Sequence, residues 1–177
     1  MTRLFRVCAT GPESTGKTTL AEQLALFLGT ECVPEASRIY AERVARDLSV
    51  TDVEPIAREH IARADAAVER VAARKGTALV LDTDLLSTVV YARHYYEFVS
   101  PWLNGEERAR CADLYLLCDV DVPWIPDGIR DRPENRDAMF ALFRDALVER
   151  RVQCVVLRGD WDARWKAARA AVQRAAP

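Results

Sequence analysis

The sequence predicts an α/β fold in which a five-stranded parallel sheet lies between layers of helices. Short apolar runs alternate with longer amphipathic stretches along the 177 residues, as is typical of a parallel sheet wrapped by helices. A glycine-rich loop, Gly11-Pro-Glu-Ser-Thr-Gly16-Lys17-Thr18, separates the first apolar run from the first amphipathic one. We expect residues 1–177 to form a single domain, because the chain is too short for two ordinary ones and contains no repeat or linker.

Five short apolar segments are predicted to be strands. The third is apolar until its last residue, as expected of a strand that is buried on both faces. The second is brief and is closed by Pro34. The predicted strands are Leu4–Ala9, Glu31–Val33, Ala78–Asp82, Asp113–Cys118 and Gln153–Leu157.

The segments between the strands are predicted to be helices from the spacing of their apolar residues. The first has leucines at positions 20, 24 and 28 and ends at Gly29, a residue type favoured just beyond a helix. A turn or the start of a helix is expected at Pro101–Glu107. The predicted helices are Lys17–Leu28, Glu35–Leu48, Pro55–Lys75, Leu85–Phe98, Ala138–Arg150 and Trp161–Ala175.

Composition excludes several classes of protein. The formal net charge is -2, which does not suggest a partner that is a nucleic acid or a membrane surface. No apolar run approaches the roughly 18 residues that a membrane-spanning helix needs. The five cysteines form no CxxC pair, so we expect free thiols in a reducing, cytoplasmic compartment.

The glycine-rich loop fits the pattern G-x-x-x-x-G-K-[ST], which binds nucleotide phosphates. Its glycines allow backbone angles that point successive N–H groups at a polyphosphate, and the following helix adds the positive end of its dipole. Lys17 is expected to reach the β- and γ-phosphates, and the Thr18 hydroxyl to bind Mg²⁺. An ordinary glycine turn is the alternative, but lysine occurs at only three positions, which makes a chance match improbable. The predicted nucleotide-binding residues are Gly11, Pro12, Glu13, Ser14, Thr15, Gly16, Lys17, Thr18 and Thr19.

Two aspartates, Asp82 and Asp84, stand at the end of the third predicted strand. A carboxylate at this end of a buried strand, next to the strand of the phosphate loop, is suited to bind Mg²⁺ directly or through water. We therefore assign Asp82 to the metal, and Asp84 to a hydroxyl of the substrate. Either residue would alternatively cap the helix that begins at Leu85.

Glu35 follows the second strand and is placed to leave the same edge of the sheet. It is a candidate catalytic base for a hydroxyl that accepts a phosphoryl group, with Arg38 one helical turn further on to hold the acceptor or a phosphate. Asp84 is the other candidate for this base. A structural alternative for Glu35 is an acid that stabilises a helix N-terminus and pairs with Arg38.

A long, proline-rich loop separates Asp119 from Asn135, and we interpret residues 120–136 as a lid. Arg130 and Arg132 would reach the phosphates when the lid closes, which would also exclude water. The alternative is that these arginines are solvated charges on the surface.

Trp124 is a candidate for the acceptor pocket or for the core. The tyrosines at 91, 95 and 96 are predicted to be core, although one of them could stack on a substrate ring. No chemical role is expected for the two histidines, at positions 60 and 94.

These segments together resemble the ribosylnicotinamide kinase domain of NadR-type proteins, a branch of the P-loop kinases. The resemblance covers nearly the whole chain and rests on five segments, at residues 11–19, 34–38, 81–84, 113–119 and 122–133. It implies a three-layer P-loop kinase fold with an arginine-bearing lid, and transfer of the ATP γ-phosphate to the ribose 5′-hydroxyl of nicotinamide riboside, giving NMN in NAD salvage. It also places Glu35, Arg38, Asp82 and Asp84 around the acceptor ribose.

Two departures from that family leave the acceptor open. NadR-type proteins usually carry an adenylyltransferase domain and often a helix-turn-helix, and neither is expected here. In addition, Pro34 stands where studied members have a tryptophan that is thought to stack on the nicotinamide ring. A kinase for another nucleoside or small alcohol, and a regulatory NTPase, therefore remain alternatives, whereas a polynucleotide kinase fits the charge poorly. An NKxD motif that reads guanine is absent, which favours ATP over GTP.

Overall fold

The computed structural model describes residues 3–123 and 135–176, and within them one or two helices separate each strand from the next, as predicted. The five strands are β1 (Phe5–Thr10), β2 (Cys32–Val33), β3 (Ala78–Asp82), β4 (Leu114–Cys118) and β5 (Cys154–Leu157). The helices are α1 (Lys17–Leu28), α2 (Ala36–Val44), α3 (Val53–Ala73), α4 (Leu85–Tyr96), α5 (Pro101–Ala109), α6 (Arg136–Arg150) and α7 (Trp161–Ala175).

All pairings in the sheet are parallel, and the strand order is β2-β3-β1-β4-β5. The strand of the phosphate loop, β1, is therefore central, between β3 and β4. Ala9 pairs with Asp82, and Val33 pairs with Leu81. The ends of β1, β2 and β3 consequently meet at one edge of the sheet, where a doubly wound fold places its ligands.

Two hydrophobic clusters cover the two faces of the sheet. On one face, Tyr115 and Leu117 of β4 pack with Phe143 of α6 and with residues of α3 and α4. On the other, Val7 and Leu116 pack with residues of α1 and α7. This burial on both faces explains why β3 is apolar up to its last residue, Asp82, and why β4 is apolar throughout its length. The fold class predicted from the sequence is confirmed.

The predicted helix at 35–48 was wrong at its C-terminal end. Helix α2 stops at Val44 because Ala45 adopts a left-handed conformation, with φ 50°. A 3-10 turn at residues 50–52 then precedes α3. Asp52 holds this turn, since it accepts hydrogen bonds from the Ser49 backbone N–H and from both terminal nitrogens of Arg46, each at 2.8 Å.

A full helix is present where the sequence predicted a turn or the start of a helix, at Pro101–Glu107. Helix α5 begins at Pro101, where Ser100 caps it by accepting the N–H of Leu103. Trp124, Arg130 and Arg132 lie outside the described residues. No helix within 3–123 and 135–176 combines the length and the apolar character that crossing a membrane requires.

Candidate active site

The glycine-rich loop connects β1 to α1 and bends through left-handed backbone conformations. Ser14, with φ 53°, and Gly16, with φ 82°, both lie in that region. Gly11 has φ 130°, and a Cβ atom added there would stand 2.8 Å from the carbonyl oxygen of Cys118. Because a left-handed residue followed by a helical one turns successive N–H groups toward one point, Gly16 and the start of α1 form an anion-binding concavity.

Side chains of the loop brace its own backbone. The carbonyl oxygen of Pro12 accepts hydrogen bonds from the Thr15 hydroxyl at 2.8 Å and from the Lys17 ammonium at 2.7 Å. Lys17 therefore crosses the loop instead of extending into solvent. The other predicted nucleotide-binding residues surround this brace, in the loop or in the first turn of α1: Gly11, Glu13, Ser14, Gly16, Thr18 and Thr19.

Thr18 and Asp82 are brought together, as expected of a metal pair. The Thr18 hydroxyl donates to Asp82 Oδ2 at 2.7 Å, although the two residues are 64 positions apart in the chain. Asp82 is 2% exposed, and its Oδ1 has no hydrogen-bond partner within the described part of the chain. Burial raises the pKa of the Asp82 carboxyl to about 6, the negative charge of Glu35 adds to the rise, and the bond from Thr18 opposes it. The Thr18 hydroxyl and the carboxylate oxygen of Asp82 that is unpartnered within the described residues are oxygen ligands, the type that Mg²⁺ prefers.

Asp84 lies one residue beyond a strained position. Thr83 is buried and has φ 64°, which is costly for a β-branched residue. Asp84 Oδ1 accepts the Leu86 N–H at 3.0 Å, so this residue does cap α4, as the alternative prediction stated. Its Oδ2 accepts the Tyr115 hydroxyl at 2.5 Å. Burial raises the pKa of the Asp84 carboxyl to about 6, against the effect of the bond from Tyr115.

Glu35 stands at the N-terminus of α2, just after β2. It accepts the Ser37 hydroxyl at 2.6 Å and lies 3.9 Å from the guanidinium of Arg38. The Glu35 side chain is 11% exposed, whereas that of Arg38 is 46% exposed. The helix-terminus pairing that we considered as an alternative is thus present. It does not exclude a chemical role, because the same carboxylate faces a cavity.

That cavity has a volume of about 820 Å³ and lies between α2, α3 and α4; we call it the α2–α4 cavity. Glu35, Thr83 and Asp84 line its end at the edge of the sheet. The face of α4 continues the lining from that end with hydroxyl groups and then with aromatic rings. These residues are Ser87, Thr88, Tyr91, Tyr95 and Tyr96. The prediction that these tyrosines belong to the core was wrong for Tyr95, which is 39% exposed, whereas Tyr91 and Tyr96 are partly buried. All three border a space large enough for a nucleoside.

Ser87 was missed by the sequence analysis. Its hydroxyl lines the cavity and is buried, but it has no hydrogen-bond partner among the residues that the structure describes. A buried hydroxyl without a partner is costly unless a ligand supplies one. Its position three residues after Asp84 and four before Tyr91, on one face of a predicted helix, was a signal that could have found it.

Arg164 was also missed. It belongs to α7, yet it is 3% exposed and donates to the Thr15 carbonyl oxygen at 2.9 Å. No local pattern marks an arginine that lies 149 positions from its partner. Arg136, at the start of α6, donates to the carbonyl oxygen of Ser14 at 3.4 Å, so it too reaches the glycine-rich loop.

Comparison with known proteins agrees with this geometry. A family profile described as an AAA domain matches residues 6–164, which include the glycine-rich loop, both aspartates and Arg164. The chain belongs to this family. Its members are P-loop domains, so the resemblance of the glycine-rich loop to that class is confirmed.

Two curated relatives are called trifunctional NAD biosynthesis/regulator protein NadR. The one from Salmonella typhimurium is 28% identical over 166 residues, which are 90% of this chain and 40% of the relative. The one from Escherichia coli is 28% identical over 155 residues, or 81% of this chain and 36% of the relative. The chain therefore spans less than half of the length of either relative, and the resemblance to NadR-type proteins is confirmed.

Solved structures give the same result. A NadR protein in complex with NR (nicotinamide riboside) has a TM-score of 0.83 at 26% identity, over 98% of this chain and 52% of that one. A NadR protein in complex with NAD and AMP-PNP has a TM-score of 0.82 at 25% identity, over 98% of this chain and 50% of that one. A deoxyadenosine kinase from M. mycoides, at 13% identity and a TM-score of 0.60, shares the fold.

Proposed function

We propose that residues 1–177 form one kinase domain that transfers the γ-phosphoryl group of ATP to the ribose 5′-hydroxyl of nicotinamide riboside, giving NMN. One observation carries the proposal: the α2–α4 cavity, lined by Glu35 and Asp84, reaches the sheet edge where Thr18 and Asp82 meet. The NadR relatives, and the NadR structure in complex with nicotinamide riboside, support this choice of acceptor.

The phosphates of ATP are assigned to the glycine-rich loop. The N–H groups at Gly16 and the first turn of α1 would bind the β-phosphate, and the ammonium of Lys17 would move from the Pro12 carbonyl to the β- and γ-phosphates. Thr18 and Asp82 would hold Mg²⁺, whose chemistry is to neutralise charge on the β- and γ-phosphate oxygens. The AMP-PNP complex of a NadR protein supports ATP as the donor.

Glu35 is assigned the role of base. The substrate 5′-oxygen attacks the γ-phosphorus, the bond from that phosphorus to the bridging oxygen of ADP breaks, and Glu35 accepts the hydroxyl proton. Arg38, 3.9 Å from this carboxylate, would hold the acceptor or the transferred group. Asp84 keeps acceptor capacity on both oxygens beyond its bonds to Leu86 and Tyr115, and it would bind a ribose hydroxyl.

The remainder of the acceptor is assigned to the outer part of the α2–α4 cavity. The hydroxyl of Ser87, buried and without a partner within the described residues, would bond to a hydroxyl or amide group of the substrate. The tyrosines of α4 border the space for the ring. Residues 120–136 are proposed as the lid, from which Arg130 and Arg132 would reach the phosphates and Trp124 the acceptor.

A second candidate acceptor is a different nucleoside. Pro34 is the observation that favours it, because this residue offers no aromatic face at the position where NadR-type proteins have a stacking tryptophan. The nucleoside would use the same base and the same phosphate site, so the two candidates differ only in what fills the outer cavity.

Incubation of the protein with ATP, Mg²⁺ and a panel of nucleosides tests the proposal by mass detection of new monophosphates. We expect nicotinamide riboside to give the highest kcat/KM, and its product to be NMN. A higher kcat/KM for adenosine, cytidine or another neutral nucleoside would select the second candidate. Slow ATP hydrolysis at one rate, whatever acceptor is added, would refute the kinase function and favour a regulatory NTPase.

A further inference from the structure

Arg164 joins the glycine-rich loop to two other segments. Its guanidinium donates to the carbonyl oxygens of Thr15, Asp119 and Gly159, each at 2.9 Å. The same group is paired with the carboxylate of Asp121. The side chain is 3% exposed, so these acceptors replace water almost completely. The Arg164 side chain thereby connects the carboxyl ends of β4 and β5 to the glycine-rich loop at Thr15.

The bond to Thr15 fixes the direction of a neighbouring N–H group. In a trans peptide, the carbonyl of one residue and the N–H of the next point in opposite directions. The Thr15 carbonyl faces the buried guanidinium, so the N–H of Gly16 faces away from it. Gly16 has φ 82° and precedes the helical Lys17, which makes its N–H the first donor of the anion-binding concavity.

Only an arginine can make this arrangement. The three carbonyl oxygens are reached by three different nitrogens of one planar fork, Nε, Nη1 and Nη2. A lysine in the same place would keep the charge but would have a single nitrogen, with no fixed geometry. Because a buried charge that lacks partners is costly, the Arg164 guanidinium keeps its bond to the Thr15 carbonyl. This bond holds the carbonyl in one orientation.

We propose that Arg164 is a positioning residue for nucleotide binding, which holds the Gly16 N–H toward the phosphates of ATP. The proposal rests on the proposed function only in taking the glycine-rich loop as the phosphate site. It requires neither a particular acceptor nor phosphoryl transfer. Arg164 itself does not contact the nucleotide, and it acts through the peptide between Thr15 and Gly16.

The test compares Arg164→Lys with Arg150→Lys. Arg150 is a matched control because its side chain is also buried, at 2% exposed, and also bonds to a carboxylate and a carbonyl, those of Glu107 and Ala146. These partners belong to α5 and α6 rather than to the loop. The probe is inorganic tripolyphosphate with Mg²⁺, titrated calorimetrically, and the KM values for ATP and for the acceptor are measured alongside.

We expect Arg164→Lys to weaken tripolyphosphate binding about 10-fold, which corresponds to about 1.4 kcal/mol, and to raise the KM for ATP by the same factor. The KM for the acceptor should not change, and Arg150→Lys should match the wild type in both affinities. Wild-type affinity for tripolyphosphate in Arg164→Lys would overturn the proposal, as would an equal loss in Arg150→Lys.

Two further results keep the test decisive. If Arg164→Lys does not fold, Asp121→Asn replaces it, because this carboxylate is 38% exposed and its loss leaves the guanidinium in place with a weaker anchor. A lower affinity for tripolyphosphate is again expected, and an unchanged affinity overturns the proposal.

Failure of the wild-type protein to bind tripolyphosphate would refute the phosphate site and the role of Arg164 together. Binding without phosphoryl transfer would refute only the kinase function.

Discussion

Replacement of Glu35 by glutamine separates nucleotide binding from phosphoryl transfer. In the wild type, the Ser37 hydroxyl donates to Glu35 at 2.6 Å. Glutamine keeps the size of the side chain and an oxygen that can accept this bond, but it cannot take a proton at neutral pH. The ion pair that is lost joins Glu35 to an Arg38 side chain that is 46% exposed, at 3.9 Å. Such a pair contributes at most about 1 kcal/mol, so Glu35→Gln is expected to remain folded.

The expected kinetic effect follows from the role of the base. General-base catalysis contributes about 10²–10⁴-fold, equivalent to about 3–5 kcal/mol of the activation barrier. The kcat of Glu35→Gln should fall by that factor, whereas the KM for ATP should stay within about 3-fold, because this carboxylate is not assigned to the nucleotide. Steady-state kinetics and a direct titration with ATP measure the two quantities.

Two variants complete this experiment. Glu42→Gln removes a negative charge from the same cavity at an exposed position, and its kcat should match the wild type. Lys17→Ala should lose ATP binding, since it removes the ammonium assigned to the phosphates. A kcat of Glu35→Gln within about 3-fold of the wild type, or a loss of ATP binding as severe as that of Lys17→Ala, would refute the assignment of Glu35 as base.

Three further predictions concern other parts of the molecule. Gly11→Ala should weaken ATP binding and lower the Tm, because its Cβ would lie 2.8 Å from the Cys118 carbonyl oxygen. The control Gly105→Ala, at an open position of α5, should instead stabilise the fold by about 1 kcal/mol. Equal Tm values in the two variants would contradict this prediction. Burial lowers the pKa of His60 to about 4, below its value of about 6.5 in the unfolded chain, so its contribution to stability is lost as the pH falls from 6.5 toward 4. The wild type should therefore lose about 2 kcal/mol relative to His60→Gln between pH 7 and pH 5, as measured by urea unfolding, and parallel pH profiles would contradict that value of the pKa. Ser87→Ala should raise the KM for the acceptor about 3–10-fold without changing the KM for ATP, and an unchanged acceptor KM would remove Ser87 from the site.

The sequence predicted best the features that depend on neighbouring residues. The first helix, at residues 17–28, and the third strand, at 78–82, have the predicted bounds, because a loop rich in glycine and an abrupt change to polar residues mark their ends. The end of α2 could not be predicted, since it depends on Ala45 adopting a left-handed conformation and on the pairing of Arg46 with Asp52. No propensity scale marks either of these features.

The candidate site divides in the same way. The contact between Thr18 and Asp82 could be expected from parallel strand order, because β1 and β3 end at one edge. The α2–α4 cavity could not, since it depends on how three consecutive helices pack against one another. The bond from Arg164 to Thr15 could not either, since it joins residues that are 149 positions apart. Tyr115 is a further example, because a tyrosine in an apolar strand gives no sign that its hydroxyl bonds to Asp84.

A crystal structure of the protein with AMP-PNP, Mg²⁺ and nicotinamide riboside measures the central geometry most directly. We expect the phosphates in the glycine-rich loop, Mg²⁺ at Thr18 and Asp82, and the ribose 5′-oxygen about 3–3.5 Å from the γ-phosphorus, within reach of Glu35. A polyphosphate bound away from residues 11–18, or an acceptor whose 5′-hydroxyl points away from Glu35 and the γ-phosphate, would contradict this expectation.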